Sequence, residues 1–349
     1  MATNRMTQLP EAILPWYRAH RRDLPWRKDK NPYHIWLSEI MLQQTRVEAV
    51  KSYYARFLQA LPTIADLADA PDELLHKLWE GLGYYSRVRN LKKAAIQIME
   101  VHGGVFPATY TQVRSLPGIG PYTAGAICSI AYDLPTPAVD GNVLRVVSRL
   151  LADNSPIDLP ATKSRAETFL KEIYPKQAGD FTQALMELGA TVCGPNRKPD
   201  CERCPCKDFC QGFAKGVAQM LPCKSPKKER RQEDKTVFIL ECDGCFALEK
   251  RPVNGLLAGL WQFPNVPGKL NTEQAVSYLH SQGIRVSQLQ RCVERKHIFT
   301  HIQWNMRAYY MCVKDMDGNY TWMAAEQIQQ QAALPTAFRM FWEEVHVPQ

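Results

Sequence analysis

The chain has 349 residues, 45% of them apolar, with 43 Lys and Arg against 35 Asp and Glu, a net charge of +8. That length holds about two domains, the apolar fraction excludes a disordered chain, and no run of about 18 apolar residues is present to cross a membrane. The positive balance favours a polyanionic partner such as nucleic acid. The opening stretch MATNRMTQLPEAILPWYRAH has no signal-peptide core, so the protein is expected in the cytoplasm, where its 11 cysteines stay reduced rather than forming a disulfide framework.

Residues 1–215 read as helical. HIWLSEIMLQQTRVEAVKSYYARFLQ carries apolar residues at helical spacing from Ile35 to Leu58. PDELLHKLWEGLG opens on Pro and acids and closes on Gly, the start and stop signals of a helix, and RNLKKAAIQIMEVHGG does the same. SLPGIGPYTAGAI, Ser115 to Ile127, is a helix end, a Gly-rich turn and a new helix. Gly118 and Gly120 leave bare N–H groups at a helix start, which suits either a tight connection or a phosphate-binding hairpin. ETFLKEIYP and DFTQALMELGATVC are two further helices.

Two acids stand out. Glu39 is flanked at helical spacing by Ile35, Trp36, Leu42 and Gln43. On that apolar face, desolvation raises a carboxyl pKa and keeps a proton available; periodicity alone slightly favours an ordinary glutamate at the stripe edge. Asp140 precedes the apolar helix Val143 to Leu151 as a favoured N-cap, and a helix N-terminus keeps such a carboxylate ionised.

Five cysteines fall within CGPNRKPDCERCPCKDFC. Cys193, Cys201, Cys204 and Cys210 are spaced C-x7-C-x2-C-x5-C, a set able to hold zinc or a 4Fe-4S cluster; the single C-x-x-C directly after a helix favours the cluster. Arg197, Lys198, Arg203 and Lys207 put cations on the same loop, as a phosphate backbone requires.

Residues 216–235 read as a linker, most clearly in PCKSPKKERRQEDK, which is charged and without period. Residues 236–349 form an α+β domain, with strands in TVFILEC, CFALEKR and IQWNMRAYYMCV and helices in NTEQAVSYLHSQG and AAEQIQQQAA. Cys242 and Cys245 flank Asp-Gly, a hairpin signal, and read as cross-strand neighbours without a redox role.

Taken in order, LPGIGPYTA, DLPTPAVDGNVLRV and the four-cysteine loop resemble the helix-hairpin-helix DNA glycosylase superfamily that carries an iron–sulfur cluster. LPWR, WLSEIMLQQTRV, GLGYYSRVRNL and GLWQFP, with the two-domain layout, are most similar to the adenine DNA glycosylases of the MutY family, and the resemblance covers nearly the whole chain. It departs in two places: the family's first cysteine spacing is one residue shorter, and Cys206 is additional, which leaves Cys206 as an alternative ligand.

The resemblance implies a mainly α-helical glycosylase domain with a 4Fe-4S loop, and a Nudix-like recognition domain. It implies a monomeric enzyme that excises adenine opposite 8-oxoguanine or guanine in double-stranded DNA. Glu39 would protonate adenine, Asp140 would stabilise or trap the sugar, and Asn142 would support it by hydrogen bonding. Tyr122 stands where strand-cutting relatives carry a lysine nucleophile; it would position the sugar or the aspartate, so base removal proceeds without efficient strand cleavage, save for weak lyase action by a nearby lysine. Gly118 and Gly120 would hold a phosphate, and Gln44 and Tyr84 would enter the duplex as the base flips. Trp26, Arg27 and Gln183 would line the adenine pocket, and Phe299, Thr300 and His301 in KHIFTH would contact 8-oxoguanine. NTEQAVSYLHSQG lacks the Glu-rich magnesium box of Nudix hydrolases, so nucleotide hydrolysis is not expected. Competing readings are an endonuclease-III-like pyrimidine glycosylase and lyase, disfavoured by Tyr122 and the second domain, a non-catalytic iron–sulfur DNA-binding protein, and a Nudix hydrolase.

Overall fold

A computed structural model describes residues 6–195, 198–226 and 229–345. Helices among them, in chain order, are α1 (Leu9–His20), α2 (Pro32–Leu42), α3 (Val47–Ala60), α4 (Ile64–Asp69), α5 (Asp72–Leu78), α6 (Ser86–His102), α7 (Tyr110–Arg114), α8 (Pro121–Tyr132), α9 (Gly141–Leu151), α10 (Pro160–Glu172), α11 (Ala178–Thr191), α12 (Gln211–Ala214), α13 (Thr272–Ser281), α14 (Ala325–Gln331) and α15 (Thr336–Glu343). Strands are β1 (Arg231–Cys242), β2 (Cys245–Lys250), β3 (Trp261–Gln262), β4 (Asn265–Pro267), β5 (Val286–Ile298), β6 (Ile302–Val313) and β7 (Thr321–Ala324). Among the described residues no helix is long and apolar enough to cross a membrane.

The chain divides into two units, residues 1–69 with 90–226, and residues 70–89 with 227–349. Two features differ from the sequence expectation of domains at 1–215 and 236–349 joined by a linker. β1 begins at Arg231, inside the stretch read as linker, because its polar first residues pair in parallel with β6 from Arg231 opposite Ile302 onward. Residues 70–89, helical as expected, group with the second unit.

Among its described residues the first unit has helices and loops and no strand. One core in it joins Leu9, Ile13 and Tyr17 of α1, Val143, Val146 and Val147 of α9, and Phe181, Leu185 and Leu188 of α11. The helix expected across Ile35–Leu58 is two helices, broken at Gln43–Arg46, where Gln44 takes a φ of 58°.

In the second unit the sheet runs β3-β2-β1-β6-β5, with β4 paired to β1 and β7 to β2. The β1 run Val237–Leu240 alternates between two cores. Val237 and Ile239 face Phe338 and Phe341 of α15; Phe238 and Leu240 face Ala275 and Leu279 of α13. Cys242 and Cys245 are cross-strand partners of the β1–β2 hairpin. β5, α15 and the short strands were not expected from the sequence.

Candidate active site

The hairpin glycines have different tasks. Gly118 has a φ of 76°, where side chains are strained, and a Cβ there would lie 2.6 Å from Cβ of Asn90. A Cβ at Gly120 would meet nothing within 4 Å, so the backbone beside the start of α8 is open to a ligand. Pro121 occupies the first turn of α8, where its missing N–H costs nothing.

α8 also places the loop that ends in Asp140. A Cβ on Gly125 would sit 2.2 Å from the carbonyl oxygen of Pro137, so only glycine allows this backbone to pass so close. Thr136 Oγ1 donates to the Gly125 carbonyl at 3.1 Å. Asp140 then caps α9, its Oδ1 accepting from Val143 N at 2.7 Å and its Oδ2 from Asn142 Nδ2 at 2.7 Å.

Glu39 on α2 is 6% exposed, and burial is the main reason its carboxyl is pushed up to about 7. The Tyr122 hydroxyl donates to Glu39 Oε2 at 2.6 Å and opposes that rise. The partner of Tyr122 is therefore the buried acid, where the sequence reading allowed the sugar or the aspartate. Burial also raises Asp140 above the usual carboxylate range, against hydrogen bonds from Val143 and Asn142 and the charge of Arg145 that pull it down. The helix terminus thus offsets desolvation at Asp140 without overriding it.

These groups line one cavity of about 650 Å³, within the range of small-molecule sites. Its wall includes Trp26, Arg27, Glu39, Gln44, Gly118, Gly120, Tyr122, Asp140, Asn142 and Gln183, all expected from the sequence. Trp26 is buried edge-on to Tyr54, and Gln183 Nε2 donates to the Gly179 carbonyl at 3.4 Å.

Glu187 was missed. Its side chain is fully buried in the same wall and accepts from Arg22 Nε at 2.6 Å, Arg22 Nη2 at 3.0 Å and Arg27 Nη2 at 2.8 Å. These guanidiniums hold its carboxyl below the ordinary range despite burial. A signal was present in ALMELG, a glutamate inside an apolar helix, the same signal that singled out Glu39.

Phe299, Thr300 and His301 stand in the second unit, at the β5–β6 turn. Phe299 packs into the core, 4.8 Å from the Trp304 ring, while Thr300 and His301 are exposed. With Tyr84 they line a cavity of about 400 Å³ that also includes Arg89, Leu256 and Leu257. The Tyr84 hydroxyl lies 3.2 Å from Thr300 Oγ1.

Cys193, Cys201, Cys204 and Cys210 line one small cavity with Arg149 and Val146. Arg149 Nη1 donates to Cys193 Sγ at 3.2 Å, and Arg145 Nε and Arg149 Nη1 hold the Cys193 carbonyl at 2.9 and 3.0 Å. Four thiols line one apolar space with a cation beside one sulfur, a donor set of the kind an iron–sulfur cluster takes. Among the described residues no three Cys, His, Asp or Glu side chains converge as a metal site. Cys206 is fully buried and is absent from the cavity wall. Arg197 lies outside the described residues. Arg203 pairs with Asp200 at 3.8 Å and Lys207 with Glu202.

Residues 37–176 match the model of the HhH-GPD superfamily of base excision DNA repair proteins, and residues 236–344 match the NUDIX domain. The chain is therefore a helix-hairpin-helix DNA glycosylase of base excision repair, joined to a Nudix-like domain. It is 35% identical to the adenine DNA glycosylase of Rattus norvegicus over 97% of this chain and 75% of that protein. It is also 35% identical to that of Buchnera aphidicola (strain Bp), over 84% of this chain and 82% of that protein. The chain belongs to the adenine DNA glycosylase family. A thermostable thymine-DNA glycosylase superposes with a TM-score of 0.57 at 30% identity, covering 62% of this chain and all of that one. An endonuclease III bound to DNA shares the fold, with a TM-score of 0.52 at 23% identity over 62% of this chain and 98% of that chain.

Proposed function

We propose that the protein excises adenine mispaired with 8-oxoguanine or guanine, as a monofunctional glycosylase. The observation that carries this reading is the meeting of Glu39, Tyr122 and Asp140 in one cavity. With its carboxyl near 7, Glu39 is substantially protonated at neutral pH. It gives that proton to a ring nitrogen of the flipped adenine as the N-glycosidic bond breaks and its electron pair leaves with the base. Asp140, fixed by Val143 and Asn142, presents negative charge to the sugar cation; water then adds at C1′ and loses a proton. Tyr122 orients Glu39, and a phenol offers no amine for a Schiff base, which favours base removal without strand cleavage.

Trp26, Arg27 and Gln183 enclose the adenine, Gln44 and Tyr84 enter the duplex, and Gly118 and Gly120 receive a phosphate. Thr300 and His301 read the opposite base from a turn anchored by Phe299. Cys193, Cys201, Cys204 and Cys210 would hold a 4Fe-4S cluster. Such a cluster staples the loop and supplies no chemistry at the sugar.

A duplex with one adenine opposite 8-oxoguanine tests the reading. Strand breaks only after hot alkali are expected. Breaks without alkali would overturn the monofunctional assignment, and no breaks from cluster-loaded protein would overturn the glycosylase.

A further inference from the structure

Beside the Tyr84 ring in the second unit lies a buried cation with no part in the chemistry above. Arg87 is 7% exposed, and its Nη2 donates to the carbonyls of Leu82 and Gly83, each at 3.0 Å. The Gly83 carbonyl accepts a second bond from Trp79 Nε1 at 3.1 Å. The guanidinium carbon lies 5.3 Å from the Trp79 ring centre and 5.6 Å from that of Tyr84, both within cation–π range. Burial lowers Arg87 to about 10, so it stays charged at neutral pH.

The residue held in this way is strained. Tyr84 has a φ of 49° and is 48% exposed. A bulky side chain in the left-handed region persists only where its surroundings over-determine it. Tyr84 presents its hydroxyl to Thr300 across the cavity both residues line.

We propose that Arg87 is a positioning residue for lesion recognition. By spanning two carbonyls and packing against the Tyr84 ring, it holds Tyr84 projected and hydrogen-bonded to Thr300, so the residue that enters the duplex and the turn that reads the opposite base are presented as one preformed surface. Preformation lowers the ordering cost of binding. A planar guanidinium achieves this where an ammonium on a flexible stem does not. This inference rests on the reading that Tyr84 and Thr300 contact DNA. Because Arg87 is buried, its contribution differs in kind from that of a phosphate-binding cation.

The test uses full-length, cluster-loaded Arg87→Lys, Tyr84→Ala and the double variant. Affinity is measured for a duplex with adenine opposite 8-oxoguanine and for an undamaged duplex across a salt series, with single-turnover excision at saturating enzyme. Arg87→Lys is expected to weaken lesion binding about tenfold, leave undamaged-duplex binding and its salt slope unchanged, and lower affinity more than saturating rate. In the Tyr84→Ala background it is expected to add nothing. Equal loss on both duplexes, a shallower salt slope or additive losses would overturn the proposal. Lesion affinity unchanged in Tyr84→Ala would instead overturn the reading of Tyr84, and the proposal with it. Should Arg87→Lys fail to fold, Tyr84→Phe and Thr300→Val, which spare the buried cation, are expected to weaken lesion binding non-additively; additive or absent losses there would overturn it equally.

Discussion

The Tyr122 hydroxyl donates to Oε2 of Glu39 at 2.6 Å, joining α8 to α2 across 83 residues of sequence. The bond favours the ionised carboxylate, while burial favours the neutral acid, and burial prevails at about 7. The chemical step therefore falls as pH rises through about 7. Tyr122→Phe removes the group that stabilises the charge, so this basic limb moves to higher pH. Single-turnover excision against pH reads both; a limb unmoved in Tyr122→Phe would assign it to another group. The linkage has a stability sign as well. The folded state holds this proton more tightly than the unfolded state, so stability falls between about 4.5 and about 7, and Glu39→Gln flattens that fall in thermal melts.

Glu187 holds two arginines in the cavity wall. Removing its charge with Glu187→Gln leaves Arg22 and Arg27 imperfectly paired. A loss of about 2–3 kcal/mol is expected, below that of a wholly buried pair because the Arg22 side chain is 37% exposed. The Glu187 carboxyl lies below its usual 4.5, so its contribution is present above that pH and is lost as pH falls through the depressed value. Denaturant melts at neutral and acid pH should show the variant's deficit shrinking in acid.

At Gly125 the contact is backbone against backbone. A methyl group 2.2 Å from the Pro137 carbonyl displaces the loop that carries Asp140. Gly125→Ala is expected to cost about 1–3 kcal/mol, as overpacking does, and to lower excision more than ten-fold through misplacement of Asp140. Melting temperature and single-turnover rate measured together check both.

The cysteines divide by position. Serine at Cys193, Cys201, Cys204 or Cys210 should lower iron content and visible absorbance, and Cys206→Ser should leave both in place, since Cys206 is absent from the cavity wall. Iron loss in Cys206→Ser would make it a ligand.

In the β5–β6 turn, Phe299→Ala should lower the melting temperature, because the ring packs on Trp304. Thr300→Ala should leave it unchanged and reduce the preference for 8-oxoguanine over guanine, read as the ratio of excision rates on the two duplexes.

Much of the site was legible in local residues. Asp140 reads as an N-cap because capping is decided within one helical turn, and Cys242 and Cys245 read as hairpin partners because Asp-Gly decides the turn. β5 was not legible: most of its residues are exposed, so no apolar alternation marks it, and it exists through its pairing with β6. The break at Gln43–Arg46 carries neither Gly nor Pro. PDELLHKLWEGLG reads as a helix up to its glycines, whereas the helix ends at Leu78, and nothing in the stretch says which core it joins.

Residue order by itself determined the helical and strand-rich halves, the capped aspartate, the glycine hairpin and the cysteine spacing, because these follow from short-range sterics, periodicity and hydrogen bonding. Only the tertiary structure decided that Tyr122 meets Glu39, that Glu187 binds two arginines, and that Tyr84 meets Thr300. Each contact joins residues far apart in the chain; the first two are made where burial removes water and the third at an exposed turn, and no local pattern names the neighbours on which they depend.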